Sequence, residues 1–186
     1  MSTPPPADVA LPSALAELAE DFLALPAAQR LEMLVEMGAS VEDVPERYTS
    51  DLSTMERVVE CQSPVYVAVE VEDQSPHTVT LHVVAPQEAP TTRGFAGVLS
   101  EGLAGCTAEQ VLALPHDLPT RLGLHDLVSP LRTAGMASMQ GRVQRQVLER
   151  LEALGVAPAR EHRSSDGGTD AGTGADADAD ADAERA

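Results

Sequence analysis

Residues 58–72 read VVECQSPVYVAVEVE, and they hold the start of a strand together with one of the two cysteines in a chain of 186 residues. From Pro64 the pattern alternates. Val65, Val67, Val69 and Val71 point one way and Tyr66, Ala68, Glu70 and Glu72 the other, the period of a half-buried strand. DQSPH (73–77) is turn chemistry, and TVTLHVVA (78–85) returns as an antiparallel partner. Residues 58–60 are expected to extend the sheet as a third short strand. Cys61 therefore falls in a Gln62-Ser63-Pro64 turn at the edge of a small sheet.

On either side of this hairpin the periodicity is helical. Ser13 stands at an N-cap position before ALAELAEDFLAL, whose Leu15, Leu18, Phe22 and Leu25 share a face. Pro26 suits the first turn of a second helix, PAAQRLEMLVEM, which Gly38 should stop. The polar stretch 39–60 reads as a long surface connection. After PQEAPTT, RGFAGVLSEGL (93–103) is a glycine-interrupted helix, and Thr107 with Gln110 forms a capping-box pattern. Short elements follow around LPTRLGL (118–124). The last helix has Ser129 as N-cap and Pro130 at its first position. Met136, Met139, Val143, Val147, Leu151 and Leu154 form its stripe, and Gly155 its stop. The predicted class is α+β: a small antiparallel sheet of about three strands packed against helices.

Composition sets the ends of the folded unit. Residues 1–12 contain four prolines and read as a disordered arm, and residues 13–157 as the domain. Residues 158–186 run into SSDGGTDAGTGADADADADAERA, where alternating Ala and Asp gives little apolar surface and strong self-repulsion, so a solvated acidic tail is expected.

Several functions are excluded by what the chain lacks. Its net charge is −18 and aromatics make up 2 % of it, which argues against phosphate-backbone recognition and base stacking. All twelve basic residues are arginine. With no lysine, the chain cannot form a pyridoxal-phosphate Schiff base or complete a P-loop. No window has the roughly 20 apolar residues of a membrane span, and MSTPPPADVA is not a signal peptide, so a cytoplasmic protein is expected. In that reducing compartment Cys61 and Cys106 are expected as free thiols. His77, His82, His116, His125 and His162 show no metal-ligand spacing, and two cysteines are too few for a cluster scaffold.

Position alone leaves Cys61 open between a small buried apolar residue and a thiol presented at a loop tip. A resemblance adds to this. VVECQSPVYVAVEV is similar to the cysteine segment of the SufE family of sulfur-acceptor proteins, where Cys-Gln-Ser leads into a strand. APTTRGFAGVL (89–99) resembles that family's Arg-Gly helix start, and LGLHDLVSPLRTAGMASM (122–139) its Leu-Gly-Leu, Ser-Pro, Arg and Gly-Met segment. With LVEMGASVEDVP (34–45) the matches keep the family's order from about residue 20 to 151. The sequence departs from the pattern at Glu60 (commonly glycine), Tyr66 (commonly tryptophan) and Ala134 (commonly a polar amide).

What the resemblance implies is an accessory protein of iron–sulfur cluster assembly. Cys61 would accept persulfide sulfur from a SufS-like cysteine desulfurase, stimulate that enzyme, and hand the sulfur to a SufB-like scaffold complex. Pyridoxal phosphate would belong to the desulfurase, and this chain would hold no cofactor or metal of its own. It would be a carrier rather than a stand-alone enzyme. A module that binds and regulates a desulfurase without carrying sulfur is the alternative, and a Cys61–Cys106 redox sensor a third. Glu56 and Glu60 should lower the thiolate fraction of Cys61, with Arg57 a weak offset and Arg93 or Arg132 as possible supporting cations. For Arg132 a structural role, tying the helix start to a neighbouring carboxylate or carbonyl, is equally open, and for Arg93 structural docking is the favoured role. Cys106 is expected to be passive.

Overall fold

The computed structural model describes residues 10–41 and 43–157. The arm up to residue 9 and the acidic tail from residue 158 lie outside the described residues. In chain order the elements are α1 (Ser13–Ala24), α2 (Ala27–Met37), α3 (Glu46–Thr49), β1 (Glu56–Arg57), β2 (Tyr66–Val71), β3 (Val79–Val84), α4 (Pro90–Gly102), α5 (Ala108–Leu112), α6 (Leu118–Arg121) and α7 (Pro130–Ala153). Short 3-10 turns occupy Gly38–Ser40 and Leu52–Thr54.

The strands form one antiparallel sheet in the order β1-β2-β3, with Tyr66 opposite Val84 and Val71 opposite Val79. The expected hairpin is present, and the alternation places its faces. Val65, Val67 and Val69 are buried in the main core with Val79 and Val83, beneath α7 and α4. The opposite face carries its own small cluster, in which Ala68 packs with Tyr48 of α3 and Met55. Tyr48 donates its hydroxyl hydrogen to Glu70 at 2.8 Å, and Arg47 pairs with the same carboxylate. The polar stretch read as a surface connection thus covers the outer face of the sheet.

The third strand is shorter and earlier than expected: β1 is Glu56–Arg57, and residues 58–60 belong to the following turn. The ladder stops after Val58 because Cys61 N–H turns back to the Val58 carbonyl at 3.2 Å and Pro64, on the facing strand, has no N–H to continue it. At the other end of β1 a side chain of α7 completes the edge. Among the described residues no strand lies beside β2 beyond Val67 on that edge. Gln146 takes the place of one, accepting from Val69 N–H at 2.9 Å and facing the Val67 carbonyl at 3.4 Å. A side-chain amide offers one donor and one acceptor, as a peptide unit does, so the edge is satisfied without a longer β1.

α7 is organised as its sequence indicates. Ser129 accepts from Arg132 N–H, Pro130 occupies the first turn, and Met136, Met139, Val143, Val147 and Leu151 are buried. Gln140 and Gln144 are buried beside that stripe, because their amides donate to the carbonyls of Pro115, Val111 and Leu114 around the end of α5. The Thr107–Gln110 capping box of α5 is formed in both directions. At α1 the cap differs from the expectation. Pro12, extended at ψ 146°, is the N-cap, and its carbonyl accepts from Ala16 N–H, so the Ser13 side chain makes no cap bond.

α4 lies at the centre, packed by α1, α2, α7 and β3. Its close fit to α2 depends on Gly94, where a Cβ would sit 1.9 Å from the Leu34 carbonyl oxygen. Gly94→Ala must therefore push two helices apart, and the expected loss is about 1–3 kcal/mol or more. Gly141 on the exposed side of α7 has nothing within 4 Å of such a Cβ. Gly141→Ala should gain about 0.5–1 kcal/mol of helix stability. Urea unfolding of the two variants checks both signs.

Candidate functional site

The loop between β1 and β2 is pinched at its neck, where Val58 N–H donates to the Val65 carbonyl at 2.8 Å and both side chains are fully buried. Within the loop, Cys61 N–H donates to the Val58 carbonyl at 3.2 Å. These bonds tighten residues 58–61 into a turn and set the thiol on the α7 side. Cys61 is half-buried, with its Sγ 3.9 Å from the Gly135 carbonyl oxygen. Gly135 permits that approach, since a Cβ there would lie 3.3 Å from the sulfur.

The thiol opens onto a cavity of about 290 Å³. Its walls are the Cys61 loop, the start of α4 with the preceding Glu88, and the start of α7 with Leu131 and Arg132. Two apolar side chains are left in water, Leu131 on the cavity wall at 54 % exposure and Val59, two residues before Cys61 on its loop, at 67 %.

Burial pushes the Cys61 thiol above its ordinary value; the Glu60 charge adds to the rise, and Arg142 works against it. The sequence anticipates the direction and the Glu60 contribution, but desolvation is the larger cause. The arginine that reaches the loop is neither of the two anticipated. Arg142 Nη1 lies 2.8 Å from Glu60 Oε2, its Nη2 donates to Glu60 Oε1 at 3.1 Å, and its Nε lies 3.1 Å from Glu56 Oε1. Arg145 of the same helix also pairs with Glu56. The Arg142 grip holds the Glu60 carboxyl below its usual range.

Arg93 is committed elsewhere. Its guanidinium donates to the carbonyls of Gly38 at 2.9 Å, Ala85 at 2.8 Å and Val41 at 3.5 Å, which fastens α4 to the chain after α2 and after β3. Arg132 does line the Cys61 cavity and is exposed, and among the described residues its guanidinium has no hydrogen bond or ion pair. Cys106 is buried in the main core with its Sγ 3.7 Å from the Gly102 carbonyl oxygen, away from the walls of the Cys61 cavity.

Gly135 and Arg142 were missed by sequence reasoning, because spacing can put them on one face of a helix but cannot show what lies against that face. Gly135, Ser138 and Arg142 stand at positions i, i+3 and i+7 of α7, one helical stripe beside the apolar one, and the Cys61 loop lies along it.

The arrangement defines a class of protein: an α+β domain that presents a neutral, half-sheltered thiol at the mouth of a small cavity, beside exposed apolar side chains and an arginine whose guanidinium has no partner among the described residues. The chain belongs to the SufE family, whose domain, described as associated with Fe–S metabolism, matches residues 16–147. It is 43 % identical over 143 residues to two uncharacterized SufE-like proteins of Mycobacterium tuberculosis, covering 77 % of this chain and 97 % of each of those. A protein of Plasmodium falciparum called cysteine desulfuration protein SufE is 21 % identical over 61 % of this chain and 44 % of that one. The solution structure of a hypothetical protein from Thermus thermophilus superposes with a TM-score of 0.68 at 36 % identity, over 77 % of this chain and 99 % of that one. Family membership assigns the protein to iron–sulfur metabolism. No helix among the described residues is long and apolar enough to cross a membrane.

A thiol whose pKa is raised is less ionised at neutral pH than a free cysteine, and only the thiolate is alkylated. In the isolated protein the iodoacetamide rate at Cys61 should fall below that of a free-cysteine reference at neutral pH. It should keep rising with pH after the reference has levelled off. Cys106 should stay unlabelled until the protein is unfolded.

Proposed function

We propose that Cys61 is a sulfur acceptor: it takes the outer sulfur of a persulfide on a cysteine desulfurase, stimulates that enzyme by clearing its product, and delivers the sulfur to an iron–sulfur scaffold complex. The observation that carries the reading is the placement of Cys61 at the mouth of a cavity in a chain of the SufE family. The chemistry needs little else from the protein. The Cys61 thiolate attacks the outer sulfur of the partner's persulfide, the partner's S–S bond breaks, and the partner's cysteine leaves as a thiolate. Cys61 then carries the new S–S bond, its own proton having gone to solvent or a partner base. The sulfur changes carrier, and neither an oxidant nor a reductant is consumed.

The site's features support the two halves of such a cycle. Exposed Val59 and Leu131 offer apolar surface for a docked partner, and Arg132 offers a cation able to steady a thiolate or persulfide. Between encounters the raised pKa keeps Cys61 as a thiol, the form least open to oxidation or to exchange with stray disulfides. Docking that brings a partner's cation to the sulfur and screens it from Glu60 would raise the thiolate fraction where the partner's persulfide is present. The chain's lack of lysine fits a division of labour in which pyridoxal phosphate resides on the desulfurase.

Desulfurase turnover, followed as alanine released from cysteine, tests the role. Wild-type protein should raise the rate and Cys61→Ser should not, while both bind the desulfurase equally in a pull-down. Full stimulation by Cys61→Ser would establish a regulator that carries no sulfur.

A further inference from the structure

We propose that Arg142 is a positioning residue for the thiol: by gripping Glu60 it latches the Cys61 loop against α7, and the thiol meets an incoming sulfur only when that grip is open. The inference rests on the reading of Cys61 as the acceptor, and it concerns access rather than the transfer itself. Glu60 is the residue immediately before Cys61, so a tether on its carboxylate is a tether on the thiol's own backbone. Arg142 holds it with two nitrogens, at 2.8 and 3.1 Å, the fork geometry in which arginine binds a carboxylate most firmly.

The two partners differ in freedom. The Arg142 side chain is only 15 % exposed, and its guanidinium is also held by the Ser138 carbonyl at 3.3 Å and by Glu56 of β1 at 3.1 Å, whereas Glu60 is 42 % exposed on the loop. The arginine is the post and the loop is the movable part. The direct contact between the thiol and Gly135, at 3.9 Å, is weak by comparison. A partner that offers its own cation to Glu60, or its own carboxylate to Arg142, would open the latch as it docks. The other charged groups on the Cys61 cavity are Glu88 and Arg132, and neither is held by this grip.

The test is alkylation of the isolated full-length chain with iodoacetamide, extended to pH values where the Cys61 rate no longer rises, so that thiolate fraction drops out. Glu60→Ala and Arg142→Met should each raise this limiting rate severalfold, with Arg142→Lys in between. Added sodium chloride should speed the wild type by screening the pair, and leave the limiting rates of Glu60→Ala and Arg142→Met unchanged because the alkylating agent is neutral. Thermal melts confirm that the variants are folded; the buried stripe of α7 is untouched by either change. A limiting rate equal to wild type in either single variant, or a wild-type rate indifferent to salt, overturns the proposal. Sulfur loading by a desulfurase is measured separately, so a failed latch leaves the acceptor reading standing, and a failed acceptor leaves the latch.

Discussion

Position 135 can hold no side chain larger than hydrogen without pressing on the sulfur of Cys61, and much of the site follows from that constraint. Because the backbone of α7 comes up to the thiol, Cys61 is sheltered on one side and open on the other. Shelter keeps the thiol neutral, and its open side faces the cavity. The same helix serves three other surfaces. Its apolar stripe enters the core, Gln146 completes the edge of β2, and Gln140 and Gln144 collect the carbonyls around the end of α5. Burying side chains such as Met139, Val143 and Leu151 is worth roughly 1.5–3 kcal/mol each, so the helix is placed by burial and its polar residues are then carried to their partners.

This division explains what was legible in the sequence. Burial imposes a period, and so the alternation of Val65 to Val71, the stripe of α7 and the central hairpin could be read before any coordinates. Local chemistry was legible too, where donor and acceptor lie within one turn, as at Thr107 with Gln110 and Ser129 with Arg132. Pairings across the fold carry no local signature. Arg142 and Glu60 are 82 positions apart, and nothing near either residue names the other. Arg93 stood out on the family's motif, yet its three carbonyl partners come from segments whose proximity only the fold creates. Tyr48 was hidden because the apolar residues that cover the outer face of the sheet with it, Val44 and Met55, are spread through a polar stretch at no regular period.

The charge distribution gives the site its character. Around an acidic chain, Arg142 and Arg145 are consumed by Glu56, Glu60 and Glu149, while Arg132, on the cavity wall, has no guanidinium partner among the described residues. The cavity therefore keeps one available cation while the carboxylate next to the thiol is neutralised by its partner. The arrangement suits the proposed carrier role, in which the cysteine is quiet alone and made reactive by the surface that docks over it.

The most direct measurement is intact mass, followed by peptide mapping, of the full-length protein after incubation with a cysteine desulfurase, pyridoxal phosphate and cysteine. The account predicts a gain of one sulfur atom, located on the peptide containing Cys61 and removed by dithiothreitol. A protein that stimulates the desulfurase yet gains no sulfur, or gains it on Cys106 instead, would contradict it.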